Sequence, residues 1–191
     1  MELTEEDIKN RLKPVDTYKI DPQKRQAAVL IPLTLGKTGW EVFLTRRTEV
    51  VHDHKGQVSF PGGGVEPRDT SLADTALREC EEEIGLKANE VTLLGSLSMH
   101  EAVTGVIVIP FVGVINRSFS PKLEAREVAR LFTIPLNWLA NPNNLTIKPY
   151  LRPDGSVVQV TFYQPYEGEV LWGLSASILQ EFLYVTNYPI K

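Results

Sequence analysis

The chain has little cysteine, little net charge and no long apolar run, and each shortage excludes something. One cysteine, Cys80, in 191 residues leaves no internal disulfide and no multi-cysteine zinc site, and it suits a reducing, cytoplasmic setting. No apolar stretch approaches the roughly 20 residues needed to cross a bilayer. The two best, residues 27–35 and 106–115, are short and carry proline. The first residues are acidic and amphipathic, unlike a leader with an apolar centre. Lys and Arg number 20 against 24 Asp and Glu, a net charge of −4, so the basic surface of a general nucleic-acid binder is missing. Internal repeats and low-complexity tracts are absent as well. These shortages leave a chain long enough to bury a core without staples. Neither a membrane nor a nucleic acid is the expected partner.

Residues 1–13 read as a helix, with Leu3, Ile8 and Leu12 on one side and Pro14 as its stop. Residues 27–35 form the apolar, β-branched run of a buried strand. Gly36, Lys37, Thr38 and Gly39 then turn the chain, and residues 40–45 return as a second strand. Residues 50–64 become polar and glycine-rich, which predicts a loop. The clearest helix spans 71–85: Ser71 with Asp74 makes a capping box, and Gly85 is placed to end it. Strands are expected at 91–97 and 106–115, a short helix at 124–131 and a turn at 135–139. A hairpin of 145–151 and 157–163 crosses Pro153, Asp154, Gly155 and Ser156, and a helix over 173–185 closes the chain. Strands and helices mix without regular alternation. The expected fold is therefore α/β, with a mixed sheet and helices packed on its faces.

The helix at 71–85 carries an acidic face. On a wheel of about 100° per residue, Glu82 falls roughly 60° to one side of Glu79 and Glu83 roughly 40° to the other. Ala73, Ala76, Leu77, Cys80 and Ile84 share the adjoining arc and face the core, while Asp74 and Glu81 point to solvent. Like charges at this spacing repel by a few tenths of a kcal/mol per pair, and a divalent cation reverses the sign. Carboxylate oxygens without His or Cys select Mg²⁺, Mn²⁺ or Ca²⁺ over zinc. A solvated acidic face is the plainer reading of the same residues. Phe60, Pro61 and the glycines 62–64 lie just upstream. Their bare backbone suits a phosphate, sets the helix's angle, or forms an ordinary flexible loop. Arg78, the only base in the helix, is placed to orient a carboxylate or to soften the local charge.

The run Arg78, Glu79, Cys80, Glu81, Glu82, Glu83, Ile84, Gly85, Leu86 resembles the core of the Nudix box, R-E-U-x-E-E-x-G-U with U apolar. Upstream the spacing departs from the box. Counted from Gly63, five residues lead to Asp69, where the box has Glu, and eight residues instead of seven lead on to Arg78. That spacing resembles the coenzyme A pyrophosphatase branch of the Nudix hydrolases. The branch has a second signature, L-L-T-x-R-(S/A)-x3-R-x3-G-x3-F-P-G-G. Phe43, Leu44, Thr45, Arg47, Thr48, His52, Gly56, Phe60, Pro61, Gly62 and Gly63 fall at its positions. Three types differ: Phe43 for Leu, Thr48 for Ser or Ala, and His52 for the second Arg, which a protonated His52 replaces in part. The likeness extends through Pro110, Glu127 and Trp172 and covers about residues 26–185.

The resemblance implies a Nudix-like α/β/α sandwich with its catalytic helix after a glycine-rich loop. It implies one hydrolase domain over residues 26–187, with residues 1–25 as a helical N-terminal extension. The reaction it implies is hydrolysis of a diphosphate by activated water with Mg²⁺ or Mn²⁺. Glu79 and Glu83 are then the metal ligands, and Glu82 a further ligand or the group that draws a proton from water. Arg78 orients a carboxylate, and Glu127 serves as a distal base or ligand, or else has only a surface or helix-start role. Arg47 and Arg46 are expected to clamp phosphate oxygens, with Lys55, Gln57, Gly62 and Gly63 beside them. Coenzyme A, or an acylated or oxidised form, is the implied substrate, and a homodimer is compatible with the family. A pyrophosphatase for another nucleotide diphosphate (ADP-ribose, NADH, a nucleoside triphosphate) stays open, as does a non-catalytic binding module of the same fold. Cys80 lies on the core stripe and is not a nucleophile, and His52, His54 and His100 lack zinc-like spacing. Trp138 and Trp172 read as core or interface before base-stacking platforms.

Overall fold

β1 (Gln26–Gly36) is the strand around which the rest is arranged. In the computed structural model, which describes residues 3–49, 56–115, 119–152 and 155–188, its side chains alternate between two cores. Ala28 and Leu30 enter one, Ile31 and Leu33 the other. β7 (Ile107–Ile115) runs parallel to β1 and splits in the same way, Ile109 and Phe111 against Val108 and Val112. A sheet covered on both faces explains why both strands read as nearly continuous apolar runs.

β2 (Gly39–Arg47) returns antiparallel along β1, so the expected hairpin is present. β3 (Val58–Ser59) adds to β2, and β4 (Gly62–Gly64) pairs with β1. β5 (Val91–Ser96) and β6 (His100–Glu101) pair with β7, and β8 (Val128–Pro135) pairs with β2. Together they make an eight-stranded mixed sheet. α2 (Leu72–Ile84) covers one face. The other is covered by α1 (Glu5–Arg11), α3 (Leu136–Ala140) and α4 (Gly173–Val185), which bury Ile8, Leu139 and Phe182. The result is an α/β/α sandwich. β9 (Leu145–Leu151) and β10 (Val157–Tyr163) form a separate antiparallel hairpin, as expected.

α1 is a short helix with a full capping box at Thr4 and Asp7. It is fastened at several points: Leu3 O accepts the Trp40 indole N–H at 2.6 Å, Arg11 donates to Thr186 O, and Lys13 and Ser96 exchange backbone hydrogen bonds.

Three expectations need correcting. Residues 124–131 do not form a helix: Glu124 O accepts the N–H groups of Glu127 and Val128 in one tight turn, and β8 then begins. The acidic start of this stretch suits a helical turn. From Val128 onward, however, alternate residues Val128, Phe132 and Ile134 are buried, and β2 takes the backbone bonds. Where a turn is expected at 135–139, Pro135 caps the five-residue helix α3, Leu136–Ala140. Within the expected loop at 50–64, β3 and β4 are short strands. A triplet of glycines carries no strand signal of its own, and β4 exists because β1 offers it an open ladder.

Among the described residues no helix is long and apolar enough to cross a membrane.

Candidate active site

α2 starts and stops where the sequence indicates. Ser71 Oγ accepts the Asp74 N–H at 3.1 Å, and Gly85 leaves the helix in the left-handed region at φ 75°. The capping box is half formed, because the Asp74 carboxylate takes the Thr70 hydroxyl and does not turn back to Ser71. Ala73, Ala76, Cys80 and Ile84 are buried as the wheel requires; Leu77 is only half-buried, and Leu72 and Thr75 fill the stripe with them. Burial pushes the Cys80 thiol up and keeps it protonated.

Arg78 ties the helix to the glycine loop. Its Nε and Nη2 donate to the two oxygens of Asp69 at 2.8 and 3.1 Å, and Nη2 also reaches Gly64 O at 2.9 Å. Nη1 donates to Glu79 at 2.9 Å and to Glu82 at 3.1 Å. Asp69 takes further bonds from the Glu66 N–H and the Thr75 hydroxyl, both at 2.8 Å. Burial alone would raise its carboxyl, but these donors outweigh it and hold the pKa at about 2. The shorter acid at the departure from the box thus makes a bidentate pair with Arg78.

Glu83 is the most enclosed carboxylate of the face. Its Oε2 accepts the Gly62 N–H at 3.2 Å, and its Oε1 meets Arg47 Nη1 at 3.4 Å. Burial drives its pKa up to about 8, with repulsion from Glu79 and Glu127 adding to the rise and the Gly62 N–H and Arg47 opposing it. Burial raises Glu79 too, against the pull of Arg78 and with help from Glu82 and Glu127. Glu127 is brought close by its turn: Lys122 and Glu124 donate to the last carbonyls of α2, and Thr48 N–H donates to Glu127 O at 2.9 Å. Glu82 is exposed and shared by Arg78 and Arg68, the latter at 2.5 Å. The sequence reading missed Arg68, which sits in an irregular turn that gave no signal.

The two arginines at the end of β2 diverge at a register shift between them. Arg47 faces Glu83. Arg46 faces Glu49 and Glu169, at 3.5 and 3.8 Å. There it borders a cleft of about 440 Å³ lined also by Gln57, Val58, Val170 and Trp172. Glu169, held also by Arg130, was not anticipated. Gln57 joins the two sides, its carbonyl accepting the Arg47 N–H at 2.9 Å. Trp172 stacks on Phe162 and Trp138 packs against Tyr163 and Tyr166. His100, on β6, pairs with Glu181 of α4 at 2.6 Å. Lys55, His52 and His54 lie outside the described residues.

The donor set fits a hard divalent cation. It is all oxygen, and two of its carboxyls, Glu79 and Glu83, carry raised pKa values that a nearby cation would relieve. Among the described residues no three acidic, His or Cys side chains are already closed around a common point, since Arg47 and Arg78 stand among the carboxylates.

Carboxylates for a hard cation, set beside guanidinium groups that suit anionic oxygens, describe a hydrolase of phosphorus-containing anhydrides on an α/β/α sandwich. The NUDIX domain family matches residues 24–154, and the chain belongs to the Nudix hydrolases. It is 35% identical over 182 residues to the uncharacterized Nudix hydrolase NudL of Photorhabdus laumondii, spanning 92% of this chain and 94% of that protein. With NudL of Yersinia enterocolitica it shares 37% over 164 residues, 84% of this chain and 81% of the other. Solved structures share the fold. A MutT/nudix family protein from Enterococcus faecalis superposes with a TM-score of 0.55 at 16% identity, covering 90% of this chain and 66% of the other. The C. elegans Ap4A hydrolase gives 0.51 at 18%, covering 58% and 80%. Nudix enzymes generally use divalent metals such as Mg²⁺ or Mn²⁺.

Proposed function

We propose that the chain hydrolyses the diphosphate of coenzyme A, or of an acylated or oxidised form, to 4′-phosphopantetheine and adenosine 3′,5′-bisphosphate. One observation carries this reading. Arg47 and Gly62, both from the second signature, meet the two oxygens of Glu83, from the box. The two stretches that resemble the coenzyme A branch therefore form one site.

In this reading Glu79 and Glu83 hold Mg²⁺ or Mn²⁺, which when bound neutralises phosphate charge and lowers the pKa of water. Water is the nucleophile: its oxygen bonds to one phosphorus as the bond to the bridging oxygen breaks, and the other phosphate leaves with that electron pair. Glu82 accepts the proton from water, with Glu127 as the second candidate because its charge acts on the same cluster. Arg78 fixes the Glu79 and Glu82 carboxylates. Arg47 takes phosphate oxygens, with Gln57 and the Gly63 backbone beside it; the Gly62 N–H is engaged by Glu83 and acts by holding that ligand. Arg46 is assigned to the outer part of the substrate; Lys55 remains a candidate from the resemblance alone. We read residues 26–187 as one cytoplasmic hydrolase domain and residues 1–25 as an extension fastened to it. A homodimer rests on the resemblance alone.

The test is a substrate panel. The purified chain is assayed with Mg²⁺ or Mn²⁺ against coenzyme A, an acyl-coenzyme A, ADP-ribose, NADH and nucleoside triphosphates. Coenzyme A is expected to give the highest kcat/KM. A value for ADP-ribose or NADH about tenfold higher moves the reading to another nucleotide diphosphate. Turnover of none of them leaves a binding module.

A further inference from the structure

We propose that Arg47 is the resident counter-cation of Glu83: its guanidinium stands in for the divalent cation, and cation binding releases it to the substrate's diphosphate. This rests on the metal reading above and assigns Arg47 a second task within it.

The two arginines on the acidic face are held very differently. Arg78 is saturated by both oxygens of Asp69, by Gly64 O and by Glu79 and Glu82. Arg47 touches the cluster through Nη1 alone, at 3.4 Å from Glu83 Oε1. That is long for a charge-assisted bond, whose usual range is about 2.7–2.9 Å. The contact is therefore mainly Coulombic and easily exchanged. The Nε of Arg47 is buried with no hydrogen-bond partner among the described residues, so the guanidinium has donor capacity that this resting arrangement leaves unused.

Glu83 has the complementary problem. One oxygen is fixed by the Gly62 N–H, and the other faces only Arg47 among the contacts of the described residues. A buried carboxylate without a partner is costly, so Glu83 when ionised requires a positive neighbour. A divalent cation held by Glu83 would meet that need with twice the charge and would repel the Arg47 guanidinium. Arg47 is a quarter exposed, at 25% of its side-chain area, and its backbone is anchored by the bond to Gln57 O. Its head can therefore turn while its origin stays fixed. A diphosphate arriving beside the cation supplies the acceptors that the unused donors lack. The order that follows is cation first, phosphate second.

Mn²⁺ binding to the full chain, followed by the EPR signal of free Mn²⁺ without substrate, tests the exchange. Arg47→Gln is expected to bind Mn²⁺ about tenfold more tightly than the wild type, because the competing cation is gone. Arg46→Gln removes the same charge from the adjacent residue, whose side chain faces Glu49 and Glu169, and should change the affinity by less than about twofold. Equal effects of the two substitutions, or no tightening in Arg47→Gln, overturn the proposal. A second measurement needs no stability from that variant. In the ¹⁵N-labelled wild type, Mg²⁺ should shift the Arg47 Nε–H resonance, assigned by its loss in Arg47→Lys, and leave that of Arg78 in place. An unmoved Arg47 signal overturns the proposal as well. If Mn²⁺ binding is unaffected by Glu83→Gln, the metal reading fails and this inference with it, whereas failure of the arginine tests alone leaves the metal reading standing.

Discussion

The carboxyl group of Glu79 occupies the space that a side chain on residue 63 would need. A Cβ built on Gly63 would lie 2.4 Å from Glu79 Cδ and 2.5 and 2.6 Å from its two oxygens. The glycine loop and the acidic helix thus fit by the absence of a side chain.

Gly63→Ala should for that reason separate activity from stability. The clash is with the tip of a side chain, so unfolding by urea is expected to change by no more than about 1 kcal/mol. Displacing Glu79 from Arg78 should lower kcat by about tenfold or more. Gly62→Ala should do the opposite. Its φ is +151°, and a Cβ would stand 2.4 Å from the backbone oxygen of Ala28, so stability should fall by about 2–3 kcal/mol.

Glu82→Gln tests the proton acceptor. Glu82 is exposed, so the melting temperature should stay within about 2 °C of the wild type, while kcat falls by about 10² or more. Retention of full activity, with Glu127→Gln inactive, would transfer the role to Glu127.

Asp69 makes acid stability a readout of the Arg78 pair. Its folded pKa of about 2 lies below the value of about 3.9 for an unfolded Asp, so its contribution is present above pH 4 and is lost as pH falls towards 2. The advantage of the wild type over Asp69→Asn, measured by urea unfolding, should be on the order of 2 kcal/mol at pH 6 and shrink steadily below pH 4. Arg78→Ala should cost about 3–5 kcal/mol, because it strands Asp69 as a buried charge. Arg78→Lys should recover part of this, since a lysine cannot grip both oxygens.

Divalent cation should stabilise the fold through Glu83. Mn²⁺ at about 100 times its Kd contributes about 2.7 kcal/mol and should raise the melting temperature by about 5 °C or more. EDTA should reverse the shift. Glu83→Gln should melt with little response to either.

Helix α2 was legible to the residue because its signals are local: Ser71 caps it, Gly85 ends it, and small apolar residues repeat along one side. The β9–β10 hairpin was legible from the turn residues between two β-rich runs. The 124–131 stretch was misread because its outcome depends on β2, more than 80 residues earlier, which captures Val128–Pro135 at long range. The acidic face was visible on a wheel, but the burial of Glu83 was not, since it depends on Gly62 and on the turn that brings in Glu127. The divergence of Arg46 and Arg47 is set by an irregularity in the pairing with β8 that neither residue announces.

The family match begins at residue 24, yet Ile8 is fully enclosed in the layer opposite α2. The stretch that the family describes and the unit that folds therefore have different borders in this chain. A chimera joined at the family border would carry over the chemistry of α2 and leave behind part of the packing on the far side of the sheet.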